Sequence, residues 1–552
     1  MTTRLWIDVE DIFEYRRTNY RRPSGIQRVA FEVYRDLHER YGGTGQVCFV
    51  RHSLSGNEFQ IVPWSEVAAL FSGLAGDAAA TPSSTAATPV FLHLPGRQSV
   101  RRLAYRLSPS LRTNLTDALL TQARAWRAWG RLLVALVRAP IIMFRQARQP
   151  TPHNAATAAK FADIAAPGDI LLLLGATWQH PDYGKLIDRQ CKANGLRFAL
   201  LVHDLIPLRR PEWSDRVVAR TFRKWICDLL PLCDTVFAVS RATATDVEAF
   251  AQEQGICLPG PVGTVPLGSV LRQAPETRSA RLPPPGSYAL IVSTIEARKN
   301  HVLLFRVWQR LLDAMPADRV PTLVFAGRIG SLVADLMQQI ANTDNLGGKL
   351  MIIEAPSDAE LAALYDGCLF TLMPSLFEGW GLPVTESLGF GKPCLIASRT
   401  SLPEAGGDLV RSFDPDNLND AYAVIRNAIE DRAGLALWES QVRRAFRPVP
   451  WSATVDALLA GLGHPLTASP SNPGASLGSS AAVNSLGEPA ATADLPEPGK
   501  QQSSQVVTAP TSAGCSVNIL AAIAHISEPV AEAGGPVSKT ASVTPASCNA
   551  RR

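Results

Sequence analysis

The chain has 552 residues, an apolar share of 46% and a formal net charge of +5. This length suffices for two or three domains, and the composition is ordinary for a globular protein. Nine cysteines lie scattered from Cys48 to Cys548 without the C-x-x-C pairs of a zinc site or a disulfide framework, which favours a reducing compartment. The modest charge and the lack of a recognisable binding motif argue against a nucleic-acid-binding protein.

The N-terminal sequence MTTRLWIDVEDIFEY carries acids where a secretory signal needs an apolar core. No run reaches the ~18 apolar residues of a membrane span. The best candidate, 132–144, is interrupted by Arg138. We therefore predict a cytoplasmic protein without an integral membrane segment.

Short apolar runs alternate with helical patterns along the chain. After an N-terminal strand at 4–9, further strands are predicted at 170–174, 198–202, 235–239, 288–293, 322–326, 351–354, 370–373 and 394–397. Such alternation predicts an α/β protein with parallel sheets that carry helices on both faces. The Pro-rich break at 281–286 divides the strands into two doubly wound units and is interpreted as the interdomain linker.

These patterns predict four regions. An N-terminal Rossmann-like domain covers 1–280, with a helical insert at about 97–150, and a second Rossmann-like domain covers 281–445. A last helix is expected at 446–465. The remainder, 466–552, is rich in Ala, Ser, Pro and Gly, so it is predicted to be disordered because it cannot bury enough apolar surface.

The insert does not fit a plain doubly wound unit. Between 97 and 148 it has eleven arginines and one acid, Asp117. Trp126 and Trp129 recur with leucines at helical spacing, which predicts a basic amphipathic helix. Contact with an anionic membrane, on the inner face of the plasma membrane, would use both residue types. A helix that packs its tryptophans into the N-terminal domain fits equally well.

Several residues of the first unit lie where an open α/β sheet binds ligands, beyond the carboxyl ends of its strands. Trp178 and His203 each follow an apolar strand, although a lone His is often structural. Gly25 and Arg28 lie at the start of a helix, whose first amides favour an anion. Ser240 is interpreted as the N-cap of the next helix.

The second unit places Arg298 and Lys299 after the strand at 288–293. Two adjacent cations in a strand-to-helix loop suit a diphosphate, since Arg offers a bidentate fork and Lys a point charge. Arg328, after the strand at 322–326, is a further phosphate candidate. No metal is expected, because Asp414-Pro415-Asp416 has D-x-D spacing but is interpreted as a structural turn.

The most informative segment is 374–408, PSLFEGWGLPVTESLGFGKPCLIASRTSLPEAGGD. Glu378 lies in the loop after the strand at 370–373, and Glu386 lies about one turn inside the next helix. Gly379 and Gly381 lack a Cβ, so their backbone N–H groups can approach a ligand closely. Two carboxylates and several backbone donors would therefore converge on one polyol-sized ligand.

This segment resembles the E-x7-E signature of retaining, nucleotide-sugar-dependent glycosyltransferases with the GT-B fold. The enzymes with this signature are the group 1, or family 4, glycosyltransferases, and many bacterial polysaccharide mannosyltransferases are among them. The resemblance covers about residues 1–460 and is strongest at 288–408. It implies an acceptor-side Rossmann-like domain at 1–280 and a nucleotide-sugar-binding Rossmann-like domain at 281–445, with the ligand cleft between them. It also implies that the last helix crosses back onto the N-terminal domain. The residues it places against the donor sugar are Glu378, Gly379, Trp380 and Gly381, and it places Glu386 on the ribose.

The resemblance also assigns the cations and the N-terminal residues. Lys299 occupies the position of the family's phosphate-binding Lys. In many members the accompanying Arg stands where this chain has Thr294, so Arg298 is expected to take its role. His203 is expected beside the reacting sugar, as part of the family's H-D motif.

Gly25 and Arg28 match the loop that closes over the phosphates and admits the acceptor. Trp178 is expected to contact the acceptor.

The resemblance implies a retaining transfer of a hexose, most readily mannose from GDP-mannose, to a polysaccharide or a lipid-linked oligosaccharide, without metal or cofactor. Alternatives are another enzyme of this fold, a phosphorylase or an epimerase, and a non-catalytic nucleotide-sugar-binding protein. The acceptor and its linkage position are not specified by the sequence.

Overall fold

The structure is a computed structural model that describes residues 3–17, 23–52, 58–75, 129, 160–269 and 279–463. The predicted tail at 466–552 lies outside these ranges. So does the predicted insert, apart from Trp129, whose side chain is exposed.

Seven strands form the first sheet: β1 (Leu5–Asp8), β2 (Val47–Arg51), β3 (Gln60–Val62), β4 (Ile170–Leu173), β5 (Arg197–Val202), β6 (Thr235–Ala238) and β7 (Gly263–Thr264). Their order across the sheet is β3-β2-β1-β4-β5-β6-β7. All neighbours are parallel except β2 and β3, which pair antiparallel.

Within the described ranges, eight helices accompany this sheet: α1 (Glu10–Arg17), α2 (Gly25–Tyr41), α3 (Trp64–Ala75), α4 (Phe161–Ile164), α5 (Tyr183–Asn194), α6 (Ile206–Arg209), α7 (Arg216–Leu229) and α8 (Arg241–Gln254). Short 3-10 turns occupy Gly42–Thr44, Pro211–Trp213 and Leu230–Leu232. Leu5 and Ile7 of β1 belong to the apolar cluster on one face of the sheet, and Trp6 belongs to the cluster on the other. Both faces are covered, so the inner strands are largely apolar, and every residue of β4 is an apolar, buried one.

The second sheet is wholly parallel, in the order β10-β9-β8-β11-β12-β13. Its strands are β8 (Tyr288–Val292), β9 (Thr322–Ala326), β10 (Leu350–Ile353), β11 (Thr371–Met373), β12 (Cys394–Ala397) and β13 (Arg411–Phe413). The accompanying helices are α9 (His301–Ala314), α10 (Ala334–Asn342), α11 (Asp344–Gly347), α12 (Asp358–Gly367), α13 (Leu382–Gly389), α14 (Leu402–Gly406), α15 (Leu418–Glu430) and α16 (Arg432–Ala445). Ala297–Lys299 and Gly407–Leu409 form 3-10 turns.

The last described helix, α17 (Trp451–Leu462), packs on the first domain although it follows the second. Val455 and Leu458 are buried in the same apolar cluster as Leu37 of α2. Thr454 Oγ1 donates a hydrogen bond to the carbonyl of Pro266 at 2.6 Å. The chain therefore crosses between the two domains twice.

The predicted fold class is confirmed, since two doubly wound α/β domains face each other across a cleft. All nine predicted strands are present, with ends that differ by at most one residue. The strands β2, β3, β7 and β13 were not predicted, and the antiparallel β2–β3 pair departs from the expectation of parallel sheets. No helix among the described residues combines the length and hydropathy required to cross a bilayer.

Candidate active site

The candidate site lies beyond the point where the strand order of the second sheet reverses. Strands β8 and β11 are neighbours in the sheet but far apart in the chain. The loops that follow them leave in opposite directions and open a crevice between them, the usual ligand position in open α/β sheets. The loop after β8 carries Arg298 and Lys299, and the loop after β11 carries Glu378.

The structure brings these three charged side chains into direct contact. Lys299 Nζ lies 2.5 Å from Glu378 Oε1, and Arg298 Nη1 lies 2.9 Å from Glu378 Oε2. Arg298 also donates to the carbonyl of Phe377 at 2.6 Å and pairs with Glu296 at 2.8 Å. Thus both cations predicted for the diphosphate are adjacent to the carboxylate predicted for the sugar.

Burial and charge compete in setting the protonation of this group. Burial alone would raise the pKa of Glu378, but the charges of Arg298 and Lys299 outweigh it and hold that pKa at about 2. Burial and the charge of Arg298 lower the pKa of Lys299, and the nearby Glu378 opposes them. Burial also acts to lower the pKa of Arg298, but Glu378 and Glu296 outweigh it and raise that pKa. The carboxylate keeps its charge, and it favours the charged forms of both cations.

Glu386 lies on α13, and each oxygen of its buried carboxylate has a hydrogen-bond partner. Arg28 Nη1, from α2 of the first domain, lies 2.6 Å from Oε1, and the Tyr365 hydroxyl donates to Oε2 at 2.7 Å. Glu386 raises the pKa of Arg28 more than burial lowers it. Arg28 was predicted to act at the phosphates, and the structure places it on the carboxylate that was predicted to bind the ribose.

The Gly379-Trp380-Gly381 turn lies at the interface of the two domains. The carbonyl of Gly379 accepts hydrogen bonds from the hydroxyls of Ser240, at 2.7 Å, and Thr243, at 3.1 Å. The half-buried Trp380 packs against the apolar clusters of both domains. Gly381 has a φ of 113°, which explains the need for glycine there.

His203 follows β5 on the opposite side of the cleft. Its Nε2 lies 2.7 Å from the carbonyl of Leu174, so this nitrogen carries the proton and donates it. Burial lowers the pKa of His203, which favours the neutral ring. Asp204 accepts a hydrogen bond from Ile206 N–H at 3.0 Å, which orders the loop after β5.

A cavity of about 250 Å³ lies between the domains next to these residues. His203 and Asp204 line it from the first domain, and Glu296 and Arg298 line it from the second. Trp178 also lines it and makes edge contacts with Phe222 and Trp225 of α7. Such a wall offers apolar ring faces beside charged groups.

Three further predicted residues, Gly25, Ser240 and Arg328, do not line this cavity. Gly25 begins α2 and lies close to Leu382 of the second domain. Ser240 caps α8, with its hydroxyl oxygen 3.0 Å from Thr243 N–H. Arg328 is exposed after β9, and its carbonyl accepts a hydrogen bond from Ile295 N–H at 2.8 Å.

The described part of the chain contains no group of His, Cys, Asp and Glu side chains arranged to hold a metal ion. The carboxylates of Asp414 and Asp416 instead pair with Arg399, at 3.3 and 2.7 Å. This pairing agrees with the interpretation of their D-x-D spacing as a structural turn.

Sequence reasoning missed a buried polar cluster at the carboxyl edge of the first sheet. Asp8 is the last residue of β1 and accepts a hydrogen bond from the Tyr183 hydroxyl at 2.7 Å. Burial, helped by the charge of Asp8, raises the pKa of Asp11 to about 7. The three acids in the sequence Asp8-Val9-Glu10-Asp11, at the end of an apolar strand, were the signal that could have revealed this cluster.

Comparison with known proteins identifies the second domain. Residues 274–445 match the family model described as "Glycosyl transferases group 1". This region is a glycosyl transferases group 1 domain. It contains both glutamates of the E-x7-E signature and the adjacent cations Arg298 and Lys299.

The curated relatives of this group 1 domain include mannosyltransferases. The serotype-specific mannosyltransferase WbdA of Escherichia coli is 28% identical over 272 residues, which cover 47% of this chain and 32% of WbdA. The O-antigen chain mannosyltransferase B of Escherichia coli is 32% identical over 144 residues, 26% of this chain and 37% of the relative. The chain thus spans about a third of the length of these two relatives.

Among solved structures, TarM is 14% identical, with a TM-score of 0.42 over 53% of this chain and 54% of TarM.

Proposed function

We propose that the protein is a retaining glycosyltransferase that transfers mannose from GDP-mannose to a polysaccharide or a lipid-linked oligosaccharide. The observation that carries this proposal is the contact of Glu378 with Arg298 and Lys299 at the strand-order reversal of the group 1 domain. The names of the mannosyltransferase relatives support the choice of sugar. The choice of guanine rests on the resemblance alone.

In the proposed complex each charged group meets one part of the donor. Lys299 and Arg298 face the diphosphate, Glu378 accepts hydrogen bonds from sugar hydroxyls, and Glu386 accepts them from the ribose. The bond between the sugar's anomeric carbon and the phosphate oxygen breaks, and an acceptor hydroxyl bonds to the same face of that carbon. Its proton passes to the leaving phosphate, whose negative charge the two cations stabilise.

The acceptor is proposed to enter the cavity between the domains. Trp178 would offer an aromatic face to a sugar ring there, and His203 would lie at the reacting end. Because His203 Nε2 donates its hydrogen to the carbonyl of Leu174, the neutral ring would present Nδ1 as a hydrogen-bond acceptor. We further propose that no metal takes part and that the basic insert at about 97–150 brings the enzyme to an anionic membrane surface.

The test is the release of nucleoside diphosphate when the purified protein is incubated with a panel of nucleotide sugars and candidate acceptors. GDP-mannose should be turned over. Glu378→Gln should lose turnover while keeping the fold, because Gln retains the size and an acceptor oxygen of the side chain. Glu386→Ala should chiefly weaken donor binding, since the loss of a hydrogen bond to a charged group costs about 1.5–3 kcal/mol.

Glu430→Gln is the matched control, because Glu430 forms an exposed ion pair with Arg426 on α15. It should leave both kinetic constants unchanged. Wild-type kinetics in the Glu378 and Glu386 variants with every donor would refute the assignment. Release of a sugar phosphate by inorganic phosphate would favour a phosphorylase instead.

A further inference from the structure

The N-terminus of α8, in the first domain, is capped by a side chain from the second. The Glu404 carboxylate accepts hydrogen bonds from Arg241 N–H, at 2.9 Å to Oε1 and 3.0 Å to Oε2. Ala242 N–H lies 3.4 Å from Oε2. The first N–H groups of a helix have no partner within the helix, and negative charge is favoured near them. Glu404 therefore supplies, across the cleft, what a helix usually obtains from its own N-terminal segment.

The same end of α8 also binds the loop that carries Glu378. Ser240 and Thr243 donate their hydroxyl hydrogens to the carbonyl of Gly379, the residue after Glu378. On its other side, Gly379 lies so close to the carbonyl oxygen of His203 that a Cβ at position 379 would be 1.9 Å from that atom. Gly379 is thus enclosed by the first domain.

Glu404 and Glu378 are joined by a short hydrogen-bonded segment of the second domain. Thr400 Oγ1 accepts a hydrogen bond from Glu378 N–H at 3.0 Å. The Ser401 hydroxyl lies 3.0 Å from the Glu378 carbonyl and 2.8 Å from that of Trp380. Helix α14, which carries Glu404, begins at the next residue. A displacement of Glu404 would therefore be transmitted to the backbone on both sides of Glu378.

We infer that Glu404 is a positioning residue. It docks on the N-terminus of α8 and thereby fixes the position of the Glu378 backbone relative to the first domain. This role rests on the proposed glycosyl transfer, for which Glu378 must meet a sugar bound between the domains. Glu404 itself acts only through the α8 amides and the 400–401 segment.

The experiment compares Glu404→Ala and Glu404→Gln with two caps that act within one domain. Asp431 accepts from Gly434 N–H at 2.8 Å at the start of α16, and Asp215 accepts from Val217 N–H at 2.7 Å at the start of α7. Asp431→Asn and Asp215→Asn remove the same kind of charge from a helix start without touching the interface. Glu404→Gln keeps the size of the side chain and guards against a failure of Glu404→Ala to fold.

The readouts are kcat, the donor KM, and hydrogen exchange of the backbone amides in the intact protein. Glu404→Ala should lower kcat by roughly tenfold or more, as expected for the loss of a charge-assisted hydrogen bond, with a smaller change in KM. Glu404→Gln should give a smaller loss. The amides of Arg241, Ala242 and Glu378 should all exchange faster. The two control variants should change none of these amides and should leave kcat unchanged.

Protection of the Glu378 amide that is unchanged in Glu404→Ala would overturn the inference, even if the Arg241 amide were exposed. So would a loss of kcat no larger than in the Asp431 variant. If the wild type turns over no nucleotide sugar, the proposed function fails and the exchange data still decide whether Glu404 orders the Glu378 loop.

Discussion

At the scale of residues, the site depends on three charges that must be kept together. Removing one member of a buried ion pair leaves an uncompensated charge, which costs about 3–5 kcal/mol. Loss of the Glu378 charge would leave Arg298 and Lys299 facing each other, and their repulsion would lower the pKa of Lys299 further. A diphosphate would restore the balance, because it brings negative charge to both cations. Donor binding is thus expected to loosen their bonds to Glu378.

The cations should be needed for turnover, and added metal should not. Lys299→Ala, alone or with Arg298→Ala, should lower kcat on the order of a hundredfold, since each removes a charge that stabilises the leaving diphosphate. Nucleoside diphosphate release by the wild type should be largely unchanged in EDTA. Lys349→Ala is the control, because Lys349 lies in the same domain and its Nζ donates to the backbone carbonyl of Val320 at 2.8 Å. Strict dependence of the wild type on a divalent metal would contradict this view.

At the scale of elements, the loop between β11 and α13 depends on the absence of a side chain at Gly379. The atom that a Cβ would meet is a backbone oxygen, which cannot move without moving the end of β5. Gly379→Ala should therefore force the loop and the strand end apart, with an overpacking cost of about 1–3 kcal/mol and a marked loss of kcat. Gly260→Ala is the control, because no atom lies within 4 Å of a Cβ at that position. Thermal unfolding and kcat measure both effects, and a Gly379 variant with wild-type values would disprove this role.

The sequence predicted the inner strands because they are buried on both faces and are therefore continuous apolar runs. It missed β3 because its three residues include two exposed ones, and it missed β7 because that strand is Gly263-Thr264 alone. The sequence placed Lys299 and Glu378 at the same donor site, since each lies in a loop after a strand of the second unit, and the structure shows that these two strands are neighbours. The cap of α8 by Glu404 was not, since 163 residues separate Glu404 from Arg241 and no local pattern encodes such a contact.

At the scale of the whole molecule, the two domains contact each other through polar side chains as well as apolar ones. Trp380 and Leu382, which follow Glu378, pack into the core of the first domain. Arg28 of the first domain is bonded to Glu386 of the second, and Glu404 of the second caps a helix of the first. Glu386 is therefore held by a side chain of the opposite domain, and the carbonyl of Gly379, the residue after Glu378, accepts hydrogen bonds from that domain. Donor binding and the arrangement of the domains are expected to depend on each other.

The ion pair of Arg28 and Glu386 provides a test of that dependence. A carboxylate can accept about four hydrogen bonds, so a ribose can bind Glu386 while Arg28 and Tyr365 keep its orientation. Arg28→Gln and Glu386→Gln should each weaken binding of the nucleoside diphosphate. The double variant should lose less than the sum, with a coupling of about 0.5–3 kcal/mol, as is usual for residues in contact. Titration calorimetry measures all four affinities.

The control lies on the same helix. Arg40 of α2 pairs with Asp456 at 2.6 Å. Asp456 belongs to α17, the last helix, which packs on the first domain. Arg40→Gln removes an equivalent charge from α2, and should leave nucleotide affinity unchanged because neither partner touches Glu386. Additive losses in the Arg28 and Glu386 variants, or an equal loss in Arg40→Gln, would mean that Arg28 acts only through the overall charge or fold of the first domain. Coupling confined to Arg28 and Glu386 would show that the nucleotide site is completed by a residue from the opposite domain.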